Sequence, residues 1–153
     1  MGSERVSMAM TGLLDTNVAL YLLGGRLAEA LPAGTYGVSV ITEMELLAWP
    51  SLTTKEEENV REFLTQLVIC ELTPSIRNRA VRLRREQRLR LPDAIVCATA
   101  MDFAMELWTN DTKSVQSART HLSHSQAFDC VISSLTTHHS SLPLLSRFNT
   151  STL

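Results

Sequence analysis

Along this chain, short apolar runs alternate with longer stretches in which apolar residues recur every three to four positions. "MAMTGLL" (8–14) reads as a strand ending at Asp15, and "TNVALYLLGG" as a helix that starts near Thr16 or Asn17 and stops at Gly24–Gly25. "YGVSV" (36–40) predicts a second strand, and "ITEMELLAW" a short helix halted by Pro50. Residues 53–67 open with threonines and acids, then set Val60, Phe63, Leu64 and Leu67 on one face at i, i+3, i+4, i+7, the pattern of an amphipathic helix. "VICEL" (68–72) predicts a third strand, Pro74–Leu89 an arginine-rich helix, Pro92–Met105 a helix with proline at its start, and "ELW" (106–108) a fourth strand. Strands alternating with helices imply βαβ units, and hence a three-layer α/β/α sandwich with a mainly parallel central sheet. The longest apolar run, 18–23, is far too short to span a bilayer.

A chain of 153 residues with 44% hydrophobic content is about one domain with one proper core. A net charge of −2 argues against non-specific nucleic-acid binding over the whole surface, so any such partner has to meet a local patch. Cys70, Cys97 and Cys130 are widely spaced and form no CxxC pair, which suggests neither a disulfide framework nor a zinc site. "MGSERVSMAM" has no apolar core of a signal peptide. Together these features predict a soluble, cytoplasmic protein with no membrane partner.

The predicted topology brings in the chemistry. In open α/β sheets the binding crevice lies beyond the carboxyl ends of the strands. Asp15 follows the first strand, Glu43 and Glu45 the second, and Asp111 the strand "ELW", while Asp93 sits directly after Pro92 at a helix start. Each acid has an ordinary alternative: Asp15 as a helix cap, Asp93 as a charge favoured by the helix dipole, Asp111 as a turn residue. Glu43 and Glu45 are about 200° apart around their helix, so at most one faces a shared site. Carboxylates gathered within about 4–6 Å repel one another unless a cation neutralises them, and hard divalent ions such as Mg²⁺ or Mn²⁺ take such oxygen ligands.

"LLDTNV" (13–18), "VSVITEMELL" (38–47), "LRLPDAIVCATAM" (89–101) and "LWTND" (107–111), in that order and spacing, resemble the four acidic blocks of the PIN domain, in particular the VapC ribonuclease toxins of toxin–antitoxin modules. The resemblance covers residues 8–113, read as the nuclease domain. It implies catalytic acids at Asp15, Glu45, Asp93 and Asp111, selecting Glu45 over Glu43, with Asp15, Asp93 and Asp111 as metal ligands. It also implies supporting hydrogen bonds from Thr16, Asn17, Ser39, Thr109 and Asn110. The activity implied is hydrolysis of RNA phosphodiester bonds dependent on Mg²⁺ or Mn²⁺. The partners implied are a structured RNA such as tRNA, a cognate antitoxin and a second copy of the chain as a homodimer.

The stretch "RNRAVRLRREQRLR" (77–90) concentrates seven arginines in an otherwise slightly acidic chain, with Arg82, Arg85 and Arg88 as candidate RNA contacts. A solvated helix face, or a surface for an acidic protein partner, is the competing reading. Core packing is the expected role of Trp49 and Trp108. Residues 114–153 depart from the family pattern: they are rich in Ser and Thr, nearly free of charge, and hold His121, His124, His138 and His139 without ligand spacing for a metal. "FDCVISSL" (128–135) has the composition of a strand, the rest that of a poorly ordered tail. A shift of reading frame near residues 112–120 would produce such a tail, and loss of the last strand would leave an exposed sheet edge. Two other classes of function compete: a catalytically impaired PIN-like module that binds antitoxin or RNA without cleaving it, and a phosphoacceptor domain built on Asp15. The second needs a lysine beside the acceptor, and the chain offers only Lys55 and Lys113.

Overall fold

The computed structural model describes residues 10–25, 27, 30–109 and 132–134. Apart from residues 132–134, the predicted tail lies outside the described residues, as do all four histidines and Cys130. The elements run β1 (Gly12–Leu14), α1 (Thr16–Leu23), β2 (Tyr36–Ser39), α2 (Val40–Leu47), α3 (Thr54–Thr65), β3 (Val68–Cys70), α4 (Pro74–Gln87), α5 (Leu91–Asp102), β4 (Glu106–Thr109) and β5 (Ile132–Ser134).

The strands form one sheet in the order β3-β2-β1-β4-β5, and every neighbouring pair is parallel. Register is fixed at the centre, where Leu14 lies opposite Val38 on one side and Trp108 on the other. Because side chains alternate across a strand, adjacent residues of β1 and β4 enter different cores. Leu13 and Leu107 join Ile76, Ala80 and Leu83 of α4 and the buried Ala94–Ala100 stretch of α5. Leu14 and Trp108 join Val18, Ala19 and Leu20 of α1, Leu46 of α2, and Val60 and Leu64 of α3. The result is the expected α/β/α sandwich, with α1, α2 and α3 on one face and α4 and α5 on the other.

Trp108 is buried, its ring edge-on to Tyr36 at a centroid distance of 6.3 Å. It lies flat against the backbone of Gly12, where an added Cβ would fall 2.5 Å from the indole. Trp49 falls just beyond α2 and is half-buried, so it contributes less to packing than Trp108. In the opposite core, burial pushes the Cys70 thiol up to about 11, with the neighbouring Glu71 carboxylate adding to the effect.

Three boundaries differ from the periodicity. β1 begins only at Gly12, because Thr11 turns its side-chain oxygen to the Thr35 N–H at 3.2 Å. α5 ends at Asp102, since Ala104 takes φ 51° and the Met105 N–H closes back on the Ala100 carbonyl at 2.9 Å. β5 lies within the predicted 128–135 strand and pairs with β4, so the edge expected to be bare is covered.

Candidate active site

β1 ends at Asp15, and Asp15 is itself the cap of the next helix. Its backbone is extended, and one carboxylate oxygen accepts the Val18 N–H at 2.7 Å. The sequence left Thr16 and Asn17 as alternative caps, but Thr16 turns elsewhere and Asn17 is exposed on the first turn of α1. The second oxygen of Asp15 accepts the hydroxyl of Thr109, the buried last residue of β4. This contact joins positions 94 residues apart. The β1–β4 register produces it: Leu14 opposite Trp108 sets Asp15 and Thr109 side by side at the carboxyl ends of adjacent strands.

Thr16 carries the arrangement one element further. Its hydroxyl donates to a carboxylate oxygen of Glu45 and lies 3.2 Å from the Thr42 hydroxyl. Glu45, not Glu43, therefore makes the link to the Asp15 segment. Ser39, buried at the end of β2, caps α2 by accepting the Ile41 N–H at 3.3 Å and so fixes the helix that bears Glu45. Thr42 was not among the sequence candidates. It is fully buried, one turn ahead of Glu45, and the available signal was a hydroxyl residue inside the apolar run "SVITEMELL".

Asp93 is half-buried in the first turn of α5, as the third residue of the helix rather than the second. Only residues 103–105 link α5 to β4, so the end of the helix lies beside the amino end of that strand. A 12-residue helix is about 18 Å long, which carries its first turn toward the carboxyl edge where Asp15 and Thr109 stand. α5 also packs against α2 and β2. Asn110 and Asp111 lie outside the described residues. Among the described residues, no group of three or more His, Cys, Asp and Glu side chains is gathered closely enough to hold a metal ion. The donors that the described residues bring to this edge are carboxylate and hydroxyl oxygens, the kind that a hard divalent cation takes.

Comparison with known proteins agrees with this geometry. The family model described as the PIN domain matches residues 12–120, a range that contains all four candidate acids. The chain belongs to the PIN-domain family. No curated protein matches it. Among solved structures, a toxin–antitoxin complex from Klebsiella pneumoniae is similar at 36% identity and TM-score 0.59, over 67% of this chain and 88% of that one. VapBC-5 from Mycobacterium tuberculosis, at 23% identity and TM-score 0.54, covers 69% of this chain and 88% of its own. VapBC2 from Rickettsia felis, solved bound to a DNA fragment from their promoter, stands at 19% identity and TM-score 0.59, over 81% and 98%. These last two share the fold. The chain is thus a VapC-like PIN-domain protein, and no helix among its described residues is long and apolar enough to cross a membrane.

Proposed function

We propose that this PIN domain is an endoribonuclease dependent on Mg²⁺ or Mn²⁺, and the toxin component of a toxin–antitoxin system in the cytoplasm. The observation that carries the reading is Asp15, held on one oxygen by a helix N–H and on the other by the buried Thr109 hydroxyl, with Glu45 tied to the adjacent Thr16. A helix cap needs only the first of these contacts. The additional hydroxyl and the second carboxylate fix an oxygen-rich site at the edge of the sheet where α/β proteins bind ligands.

Asp15, Asp93 and Asp111 would hold the cation, which when bound lowers the pKa of a coordinated water and offsets charge on the scissile phosphate. The chain's own groups do the positioning. Thr109 and the Val18 N–H orient the Asp15 carboxylate so that it does not swing into solvent. Thr16 holds Glu45 with its carboxylate toward the same segment, where it can take a proton from the attacking water. Asn17, exposed on the first turn of α1, is a polar group available to substrate.

Cleavage of purified structured RNA, tRNA included, tests the proposal. Activity is expected with Mg²⁺ or Mn²⁺, lost with EDTA and restored on adding the cation back. Asp15→Asn and Asp93→Asn should each abolish cleavage with the circular dichroism spectrum unchanged; retained cleavage by either variant would refute the assignment. RNA binding without cleavage by the unmodified chain would instead make it a binding module. The 36%-identical relative is part of a toxin–antitoxin complex, and by that likeness the partner proposed here is a small antitoxin encoded beside it. Co-purification with the neighbouring gene product, and a dimer mass in light scattering, are the expected results.

A further inference from the structure

We infer that the end of α4 and the link to α5, carrying Arg84, Arg85, Arg88 and Arg90, form a phosphate-binding surface that leads RNA to Asp93. The inference rests on the nuclease reading for its substrate, and is tested separately from it. Half of the chain's fourteen cationic residues fall in 77–90, against a single acid, Glu86. At 100° per residue, Ile76, Ala80 and Leu83 turn inward, while the exposed Arg77, Arg84, Arg85 and Arg88 fall within about 60° of the exposed Val81. Arg82 is displaced toward the flank where Ser75 donates to Asp102 at 2.5 Å and Arg79 lies 3.9 Å from the same carboxylate. Those contacts hold the start of α4 against the end of α5, and the basic path runs instead along the Val81 side of the helix.

Two features mark the near end. Arg88 caps α4 with φ 55° and ψ 28°, a left-handed conformation that glycine adopts freely and a β-carbon resists. The Arg88 side chain is exposed there. Arg90 is exposed, precedes the first residue of α5 and stands three residues before Asp93. Arg84 and Arg88 are about 6 Å apart along the helix direction, and with Arg90 they trace a continuous basic path to the candidate catalytic acid. No aromatic residue interrupts 77–90, so the surface suits a phosphate backbone rather than stacked bases.

The measurement is anisotropy of a fluorescein-labelled RNA hairpin bound to the full chain in EDTA, titrated across salt concentrations. Replacing Arg84, Arg88 and Arg90 together by glutamine should weaken binding about tenfold or more, and lower the slope of log affinity against log salt by about 2–3, near one for each arginine–phosphate pair removed. Arg82→Gln should change the slope by less than Arg84→Gln. Arg88→Gly separates the guanidinium from the backbone conformation: Tm is expected to hold or rise while RNA affinity falls. An unchanged salt slope in the triple variant overturns the inference, and so does an unchanged RNA affinity alongside abolished binding of poly-glutamate, which would assign the surface to an acidic protein. Cleavage by the unmodified chain with an unaltered slope in the variant defeats this inference alone; a reduced slope with no cleavage defeats the nuclease reading alone.

Discussion

Asp15 and Asp93 both stand at the start of a helix, and the two helices use them differently. Asp15 is the cap of α1: removing its side chain removes the acceptor of the Val18 N–H as well as any chemistry. Asp93 lies inside the first turn of α5, whose cap residue Arg90 makes no side-chain hydrogen bond to the helix. The starts of α2, α3 and α4 are closed by Ser39, Thr53 and Thr73, the second of these in a reciprocal capping box with Glu56. Among the described helices, α5 alone begins without a side-chain cap. The Asp15 carboxylate therefore caps its helix as well as standing in the candidate site, whereas Asp93 stands in the first turn of a helix whose cap residue is Arg90.

The largest effect that can break this contrast is on activity. Asparagine keeps a cap acceptor but not the charge, so Asp15→Asn and Asp93→Asn should both lose RNA cleavage and both keep nearly the native Tm. Alanine tests the cap: Asp15→Ala is expected to cost about 1 kcal/mol more in stability than Asp15→Asn. Equal melting temperatures for the two Asp15 variants would show that the cap contributes nothing.

Gly12→Ala acts on one side only. Its β-carbon would fall 2.5 Å from the Trp108 indole and 3.0 Å from the Glu106 carbonyl, forcing β1 and β4 apart at the pair that aligns Asp15 with Thr109. A loss of about 1–3 kcal/mol in chemical denaturation is expected, together with reduced cleavage. A smaller change is expected from Thr109→Val, which preserves shape and removes the hydroxyl donated to Asp15. Stability should fall by about 1–2 kcal/mol, and cleavage should fall through kcat more than KM.

The smallest effect belongs to the α5 face. Cys70 has its thiol raised from 9.0 to about 11 in the folded chain. An acid with a raised folded value binds its proton longer than the unfolded chain does, so the stability contribution is unchanged below pH 9 and declines as the pH climbs from 9 toward 11. Cys70→Ala should flatten that decline in urea titrations, and native Cys70 should alkylate slowly at pH 8.

Much of this was readable from residue order. Apolar runs and period-3.6 patterns located the helices and the strands β1 to β4, because burying one face of a helix or both faces of a strand constrains the residues a few positions along, while β5 was suggested by composition. The candidate acids were picked out jointly by their places after apolar runs and by the family resemblance, and Asp111 lies outside the described residues. The resemblance also named Thr16, Ser39 and Thr109 as supports, whereas Thr42 went unnoticed. Asp15 meets Thr109 only because β1 and β4 are neighbours in register, and Thr42 matters only because α1 and α2 set it against Thr16. Nothing local in "TEMELL" or "LWT" encodes a neighbour tens of residues away. The end of α5 was missed for a similar reason: Phe103, Ala104 and Met105 continue the apolar pattern, yet the chain must reverse there to enter β4.

The parallel pairing of β5 with β4 has a consequence in time as well as space. A ribosome releases β4, with Thr109 at its end, well before Ile132–Ser134 exist, and the sheet order leaves no other strand to cover that edge. While residues 110–131 are being made, the central site is flanked by unpaired backbone groups that invite another strand. The newborn chain must therefore wait for a later strand to seal a site whose candidate acids were all synthesised before it.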